Sequence, residues 1–468
     1  MIRTMTIVRR SFLAAALATT LGSAVRAANQ REFTPEEYGA KGDGVTNDSL
    51  AMLRLSTAVT ARGGGTVVFR KTTYLVGGQG LSLSRGYMFP PRDLLKFHSC
   101  SQPLIIRGNG AQLKCEVGLR YGVFDQSGER IDYPMPYLGP GLATPYTAMI
   151  EIEGCTGPVT VTDFDLMGPG DSILLGGQYG DTGWQIRSAG LVLTNNRGSE
   201  MIARIRTHGH PLDGIMIDGV NGTGTSTVRT ITDVVADGNG RQGCSIVGGE
   251  GYTFLRCHFN RTGRGKVRSA PGAGLDIEAE GDKRIRDLAF VDCRFTDNLG
   301  CGMVADSGDT ARVRFTGCIF VGTTSWSAWP SMPHFQFDRC KFVGAVTRAF
   351  GHQDPTRATQ FVGCVFTDDP AGSPTGKVYR GTNADRPIAD LSTSRNVKFD
   401  RCRFQTAHGA LPWSTGAIYK DCVMKQGFRT TGHPRGTFVG TNSITGKVDI
   451  SGSAIIGILT VNGNRVRS

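Results

Sequence analysis

Between residues 254 and 424 one short string, aromatic-x-x-Cys-x-Phe, recurs seven times, with Tyr and Met standing for the two Phe in the last copy. Its cysteines are Cys257, Cys293, Cys318, Cys340, Cys364, Cys402 and Cys422, spaced by 36, 25, 22, 24, 38 and 20 residues. A period of 20–25 residues with loop-sized excursions describes a solenoid in which every copy makes one coil. The strings are rich in β-branched and aromatic residues with polar ones interleaved, so the coils are built of strands. Each copy reads as two strands joined by a two-residue bend such as Asp400-Arg401 or Thr316-Gly317, with Phe and Cys inward and stacked from coil to coil. This predicts an all-β chain, a single right-handed parallel β-helix.

The same offsets continue upstream with other side chains, as Ile231-Val234-Ala236, Ile202-Ile205-Thr207 and Val161-Phe164-Leu166. A third strand begins with Gly in most coils, for example Gly214-Ile215-Met216-Ile217 and Gly274-Leu275-Asp276-Ile277. The loop between the second and third strands is the one that varies greatly in length, which makes that edge the expected binding face. The 65 glycines suit a chain with many tight corners.

One convincing helix is expected, from about residue 47 to 61, with Asn47 or Asp48 as N-cap, Leu50, Leu53 and Val59 near one face, and Gly63-Gly64-Gly65 as its stop. At the solenoid's N-terminal end it would cover an otherwise open edge. Residues 1–28 have the form of a secretory signal: Arg9-Arg10-Ser11-Phe12-Leu13 opens an apolar stretch too short to span a membrane. A twin-arginine start is preferred over an ordinary signal that happens to carry two arginines. The expected organisation is signal 1–28, cap and first strands 29–76, β-helix 77–462 and tail 463–468, with the mature chain periplasmic or secreted and without stable membrane insertion. Twelve cysteines in an exported chain would normally suggest disulfides. Here seven share one inward position, where Cys serves as a small buried hydrophobe, so free thiols are expected.

The run Glu37-Tyr38-Gly39-Ala40-Lys41-Gly42-Asp43-Gly44-Val45-Thr46-Asn47-Asp48, followed by Gly63-Gly64-Gly65-Thr66-Val67-Val68-Phe69 and Thr73-Tyr74-Leu75-Val76, resembles the opening of the pectate lyase superfamily, in its rhamnogalacturonase/epimerase-like branch. The resemblance covers about fifty residues strongly and implies a right-handed β-helix. It does not imply one chemistry, because similar proteins include hydrolases, lyases, epimerases and phage tailspikes. The polygalacturonase-type series is absent: Asn383-Ala384-Asp385 and Asp368-Asp369 fall late and in the wrong order, and His208-Gly209-His210 and Arg284-Ile285-Arg286 are distant echoes. Function has to be argued from the site.

On the expected binding edge, strand alternation puts Leu275, Ile277 and Ala279 inside and Asp276, Glu278 and Glu280 outside. Asp306 occupies the position of Glu278 one coil later, and Asp218 occupies it two coils earlier. Asp276 and Glu278 would stand roughly 7 Å apart along the strand and neighbouring coils about 5 Å apart, spacings that bracket the carboxyl pairs of glycosidases. Asp276, Glu278, Asp306 and His210 are therefore the catalytic candidates, set against a merely solvated acidic strand and an ordinary surface histidine. Arg261, Arg264, Lys266 and Arg268, in a chain of net charge +12, point to an anionic partner. Trp184, Trp326 and Trp329 are candidates to stack on sugar rings, against the alternative that the latter two only pack a degenerate coil.

Outside a cytoplasm, an acidic, uronate-bearing polysaccharide is a better partner than nucleic acid, for which no motif is present. Three classes stay open. Hydrolysis by paired carboxylates needs no cofactor and is slightly preferred. β-Elimination would use the Arg and Lys residues, and this alternative admits Ca2+ held by the acidic cluster. A glycan binder would use the same groove without chemistry. Oligomeric state and any metal site are not legible.

Overall fold

The computed structural model describes residues 31–82, 86–131, 141–177, 185–224, 226–381, 387–391, 395–427 and 431–466. The expected signal, residues 1–28, Trp184 and the Asn383-Ala384-Asp385 run lie outside the described residues. From Glu32 on, the chain is a parallel β-helix of three strand columns. The first column includes Tyr252–Leu255, Arg284–Val291, Asp309–Thr316 and Phe335–Asp338; the second includes His258–Asn260, Arg294–Thr296, Ile319–Val321 and Lys341–Val343. In the third stand Asp213–Asp218, Gln242–Glu250, Ala273–Ile277, Met303–Ala305 and Ala328–Pro330.

Register follows the sequence repeat. Ile202, Ile231, Phe254, Phe290, Phe315 and Phe337 pair in line down the first column. Thr207, Ala236, Phe259, Phe295 and Phe320 do so down the second. The rings stack nearly parallel, with centroids 4.7 Å apart for Phe290–Phe315 and 5.0 Å for Phe315–Phe337. Parallel strands in register place identical side chains one strand spacing apart, so an inward aromatic must either stack or be replaced by a smaller group. Between the two phenyl columns the cysteines are buried and unpaired. Each thiol points at a carbonyl of the preceding coil, Cys318 Sγ to Phe290 O at 3.4 Å and Cys340 Sγ to Phe315 O at 3.5 Å.

The bend residue beside each of these corners is left-handed. Asp163, Arg204, Asp233 and Arg256 have φ between 52° and 64°, and Gly317 occupies the same place with φ 65°. Alternating signs let successive bends pair across coils, Arg204 on Asp163 and Arg256 on Asp233, each through two hydrogen bonds. This offsets part of the backbone cost of a non-glycine residue there.

The helix runs Ser49–Ala61 and is preceded by Asp48. Its buried face is Ala51, Met52, Leu55, Ser56 and Val59, whereas Leu50 is exposed and Leu53 half-buried, a rotation of the expected face. The Asp48 carboxylate accepts from the Lys41 and Gly42 amides, and Asn47 Oδ1 accepts from Ser49 N. The Gly-Asp-Gly run is thus a structural clasp. Gly42 and Gly44 take positive φ, and Asp43 Oδ1 accepts from Val45 N and Thr46 N. One element has no signal in the repeat: a small sheet of Tyr87–Phe89, Arg120–Val123, Leu142–Ala143 and Leu174–Leu175. It has its own buried cluster of Tyr121, Val123, Ile173, Ile186 and Val267. At the C-terminal end Asn464–Arg465 folds back antiparallel on Thr460–Val461.

Candidate functional site

The outward face of the third column carries the acidic residues. Asp276 pairs in register with Ser245 before it and Val304 after it, and Val304 pairs with Trp329. Val304 belongs to a buried outer cluster with Ala273 and Cys301, against which Trp326 and Trp329 pack. The expectation that Asp276 faces solvent is therefore corrected: it points away from the core but is only 4% exposed. Outward orientation in a solenoid does not mean exposure when neighbouring rungs carry large side chains. Glu278 is half-buried, and Asp306 is exposed beside it. Ser307 Oγ donates to Glu278 Oε1 at 2.6 Å and lies 3.5 Å from Asp306 Oδ1, so the structure brings this pair together. Asp218, by contrast, is held in an ion pair with Lys283.

Burial drives the Asp276 carboxyl up to about 7; Arg241 opposes the shift, while Glu278, Asp213 and Asp306 add to it by repulsion. Three participants here were not singled out from sequence. Asp213, fully buried at the start of Asp213–Asp218, lies 3.5 Å from Arg241 Nη1, and burial moves it up to about 6. Gln242, also fully buried, donates from Nε2 to Asp276 Oδ2 at 2.5 Å. The signal that could have found them is their place before the column glycines: Asp213-Gly214, Gln242-Gly243 and Ala273-Gly274 are successive members of one outward row.

His210 is also corrected. It is 1% exposed, with Nδ1 2.8 Å from Tyr146 Oη and Nε2 3.1 Å from Leu166 O. Burial and the neighbouring His208 depress it to about 3, which keeps it neutral, and both ring nitrogens are used inside the fold. The half-buried histidine of the loop is His208, whose Nε2 lies 3.0 Å from Asp165 Oδ1, while Gln112 Nε2 donates to Asp165 Oδ2. His208 lines a cavity of about 280 Å³ with Arg206, Asp171, Asp237, Arg261 and Lys266.

The basic loop surrounds that cavity, but most of its charge is committed. Arg261 forks onto Asp237. Arg264 donates to Asp297 O, Asn298 O, Thr323 Oγ1 and Thr324 Oγ1 and pairs with Asp297. Lys266 Nζ reaches Ile173 O at 2.7 Å. Arg268 donates to Gly265 O within the loop itself. An unanchored cationic loop is therefore not what forms; it is a strut joining coils to the small sheet. A long loop with many orphan carbonyls recruits its own guanidinium groups. Trp326 packs edge-on against Tyr379 at 5.1 Å, and Trp329 carries the Arg348 guanidinium 4.9 Å over its ring while Nε1 donates to Ser331 Oγ. Both indoles have packing roles in the outer cluster.

Among the described residues no group of three or more His, Cys, Asp or Glu is placed to hold a metal ion, and no helix is long and apolar enough to cross a membrane.

The architecture is a single parallel β-helix solenoid. No family model matches the chain. The N-terminal fragment of bacteriophage phi29 gene product 12 is similar over 92% of this chain and 72% of its own, with 14% identity and a TM-score of 0.50. The mannuronan C-5 epimerase AlgE4 A-module of Azotobacter vinelandii gives 16% identity over 91% of this chain and 99% of its own, with a TM-score of 0.44. In sequence, a capsule KN3-specific depolymerase of Klebsiella phage KN3-1 is 52% identical over 46 residues, which is 10% of this chain and 6% of that protein.

Proposed function

We propose that this chain is a carbohydrate-active enzyme that hydrolyses glycosidic bonds of an acidic extracellular polysaccharide. The observation that carries this reading is Asp276, a nearly buried carboxyl raised to about 7, beside half-buried Glu278 and exposed Asp306. A carboxyl still protonated near neutrality can give its proton to a leaving oxygen, while an ionised neighbour activates water. Glu278, steadied by Ser307, is assigned the second role, with Asp306 exposed beside it. The short stretch shared with a phage capsule depolymerase agrees with a polysaccharide substrate. A periplasmic or secreted location rests on the N-terminal arginine pair and apolar stretch.

A second reading, β-elimination, is favoured by the cavity in which Arg206 and Lys266 stand beside the His208–Asp165 pair, which sets cations near a candidate base. Calcium belongs to that reading only. The test is to incubate the mature chain with a panel of acidic polysaccharides while following reducing ends and ultraviolet absorbance together. Reducing ends alone, abolished in Asp276→Asn, support hydrolysis. Both signals, abolished in His208→Ala and retained in Asp276→Asn, overturn it in favour of elimination. Binding without either product on any polymer reduces the protein to a glycan binder.

A further inference from the structure

Asp213, Gln242 and Asp276, on three successive rungs, share a hydrogen-bonding deficit. Gln242 Nε2 donates to Asp276 Oδ2, yet Gln242 Oε1 and Asp213 Oδ1 are buried acceptors with no partner. Asp213 and Gln242 sit opposite each other on adjacent rungs, about 4.8 Å apart at the backbone. Two unpartnered acceptors stand on neighbouring rungs, and the buried Nε of Arg241, itself without a partner, reaches neither of them, so a donor between the two acceptors is missing. A single proton on Asp213 supplies that donor: Asp213 Oδ1–H to Gln242 Oε1, and Gln242 Nε2–H to ionised Asp276. Turning the amide over gives the mirror arrangement, with Asp276 protonated and donating to Oε1 while Nε2 donates to ionised Asp213. An amide's O and N are nearly alike in size, so the two arrangements are equivalent in shape.

We propose that Asp213 and Asp276 hold one proton between them, on one carboxyl or the other, each placement matched by one orientation of the Gln242 amide, so that Gln242 and Asp213 are positioning residues for Asp276. Either both carboxyls ionised or both protonated leaves this row with an unmatched group; one proton satisfies it in two ways. The other charges facing the pair are Arg241, which attracts both ionised forms, and Glu278, Glu280 and Asp306, which repel them. Cys301 borders Asp276 on the following coil. Arg241 lets one carboxylate of the pair ionise in a buried place, and its charge is insufficient for two beside three further carboxylates. For catalysis the consequence is a coupling: the readiness of Asp276 to give up its proton depends on the protonation of Asp213, read through the Gln242 amide.

Only that consequence rests on the proposed hydrolysis; the shared proton is tested without substrate. The measurement is the titration of 13C-aspartate carboxyl signals in the mature chain, assigned by difference with Asp276→Asn. Each of the two carboxyls is expected to respond in two steps, the mark of a coupled pair. Asp213→Asn is expected to lower the Asp276 pKa by at least about one unit, a tenfold change in proton affinity. Charge alone would also lower it, so the deciding comparison repeats the substitution in Gln242→Met, which keeps volume and removes the amide. Through-amide coupling predicts that the shift falls below about a third of a unit there. An equal shift in both backgrounds, or a single-step titration of each carboxyl in the unaltered chain, overturns the proposal. If the titrations behave as expected and no polymer is hydrolysed, the shared proton stands and the hydrolytic reading fails.

Discussion

Phe315→Ala tests the stacked ladder most directly. Phe315 has no exposed surface, lies between Phe290 at 4.7 Å and Phe337 at 5.0 Å, and meets Phe320 edge-on at 5.3 Å. Truncating a buried Phe costs about 3–5 kcal/mol from lost transfer energy and the cavity left behind. Rungs in the middle of a solenoid are pinned by coils on both sides and cannot collapse into the gap. Two parallel-stacked pairs are also lost, each worth about 0.5–1.5 kcal/mol. The expected loss is therefore at the upper end, about 4–5 kcal/mol. Urea unfolding of the chain, followed by far-ultraviolet circular dichroism, measures it, with exposed Met201→Ala as a control expected to change by under about 0.5 kcal/mol. Because a solenoid is stabilised rung by rung, the variant should also unfold less cooperatively. A loss under about 1 kcal/mol with unchanged cooperativity would refute the ladder as the source of stability.

Arg264→Ala should destabilise the fold by about 1–3 kcal/mol, since it removes the guanidinium that donates to Asp297 O and Asn298 O and to the Thr323 and Thr324 hydroxyls on the next two coils, while Arg268→Ala should be near neutral; thermal melts compare them. Asp276 and Asp213 are raised in the fold to about 7 and about 6, so the folded chain binds more protons than the unfolded one above the ordinary Asp value. Their contribution to stability is fully present below about pH 4 and is lost as pH rises toward 7; Asp276→Asn should flatten that slope in urea melts across this range. His210 behaves in the opposite sense: it is depressed to about 3, and its contribution is lost as pH falls from about 6.5, so His210→Gln should weaken the acid sensitivity seen by the same melts. Should these two slopes be absent, the burial of both sites would be in error.

The coil repeat, its register and the inward phenyl and thiol columns were legible in sequence because a parallel solenoid repeats one local environment. An inward position demands the same kind of side chain in every coil, and the demand is visible as Phe254, Phe290, Phe315 and Phe337. The placement of Glu278 beside Asp306 followed from the same arithmetic. What only the tertiary structure decided is how the outward rows are covered. Asp276 is nearly buried because Val304 and the indoles of Trp326 and Trp329 crowd the adjacent rungs, and no local pattern reports what stands on the next coil. His210 was read as a surface histidine, but Tyr146 from a strand-side segment 64 residues earlier takes its Nδ1. The cations of the loop read as free charge, yet Arg264 and Lys266 are spent on carbonyls supplied by coils and by the small sheet. Periodicity reports the inward direction of a side chain, since the core is common to all coils. Burial and pairing on the outer face depend on irregular excursions from distant parts of the chain, and these carry no repeat to read.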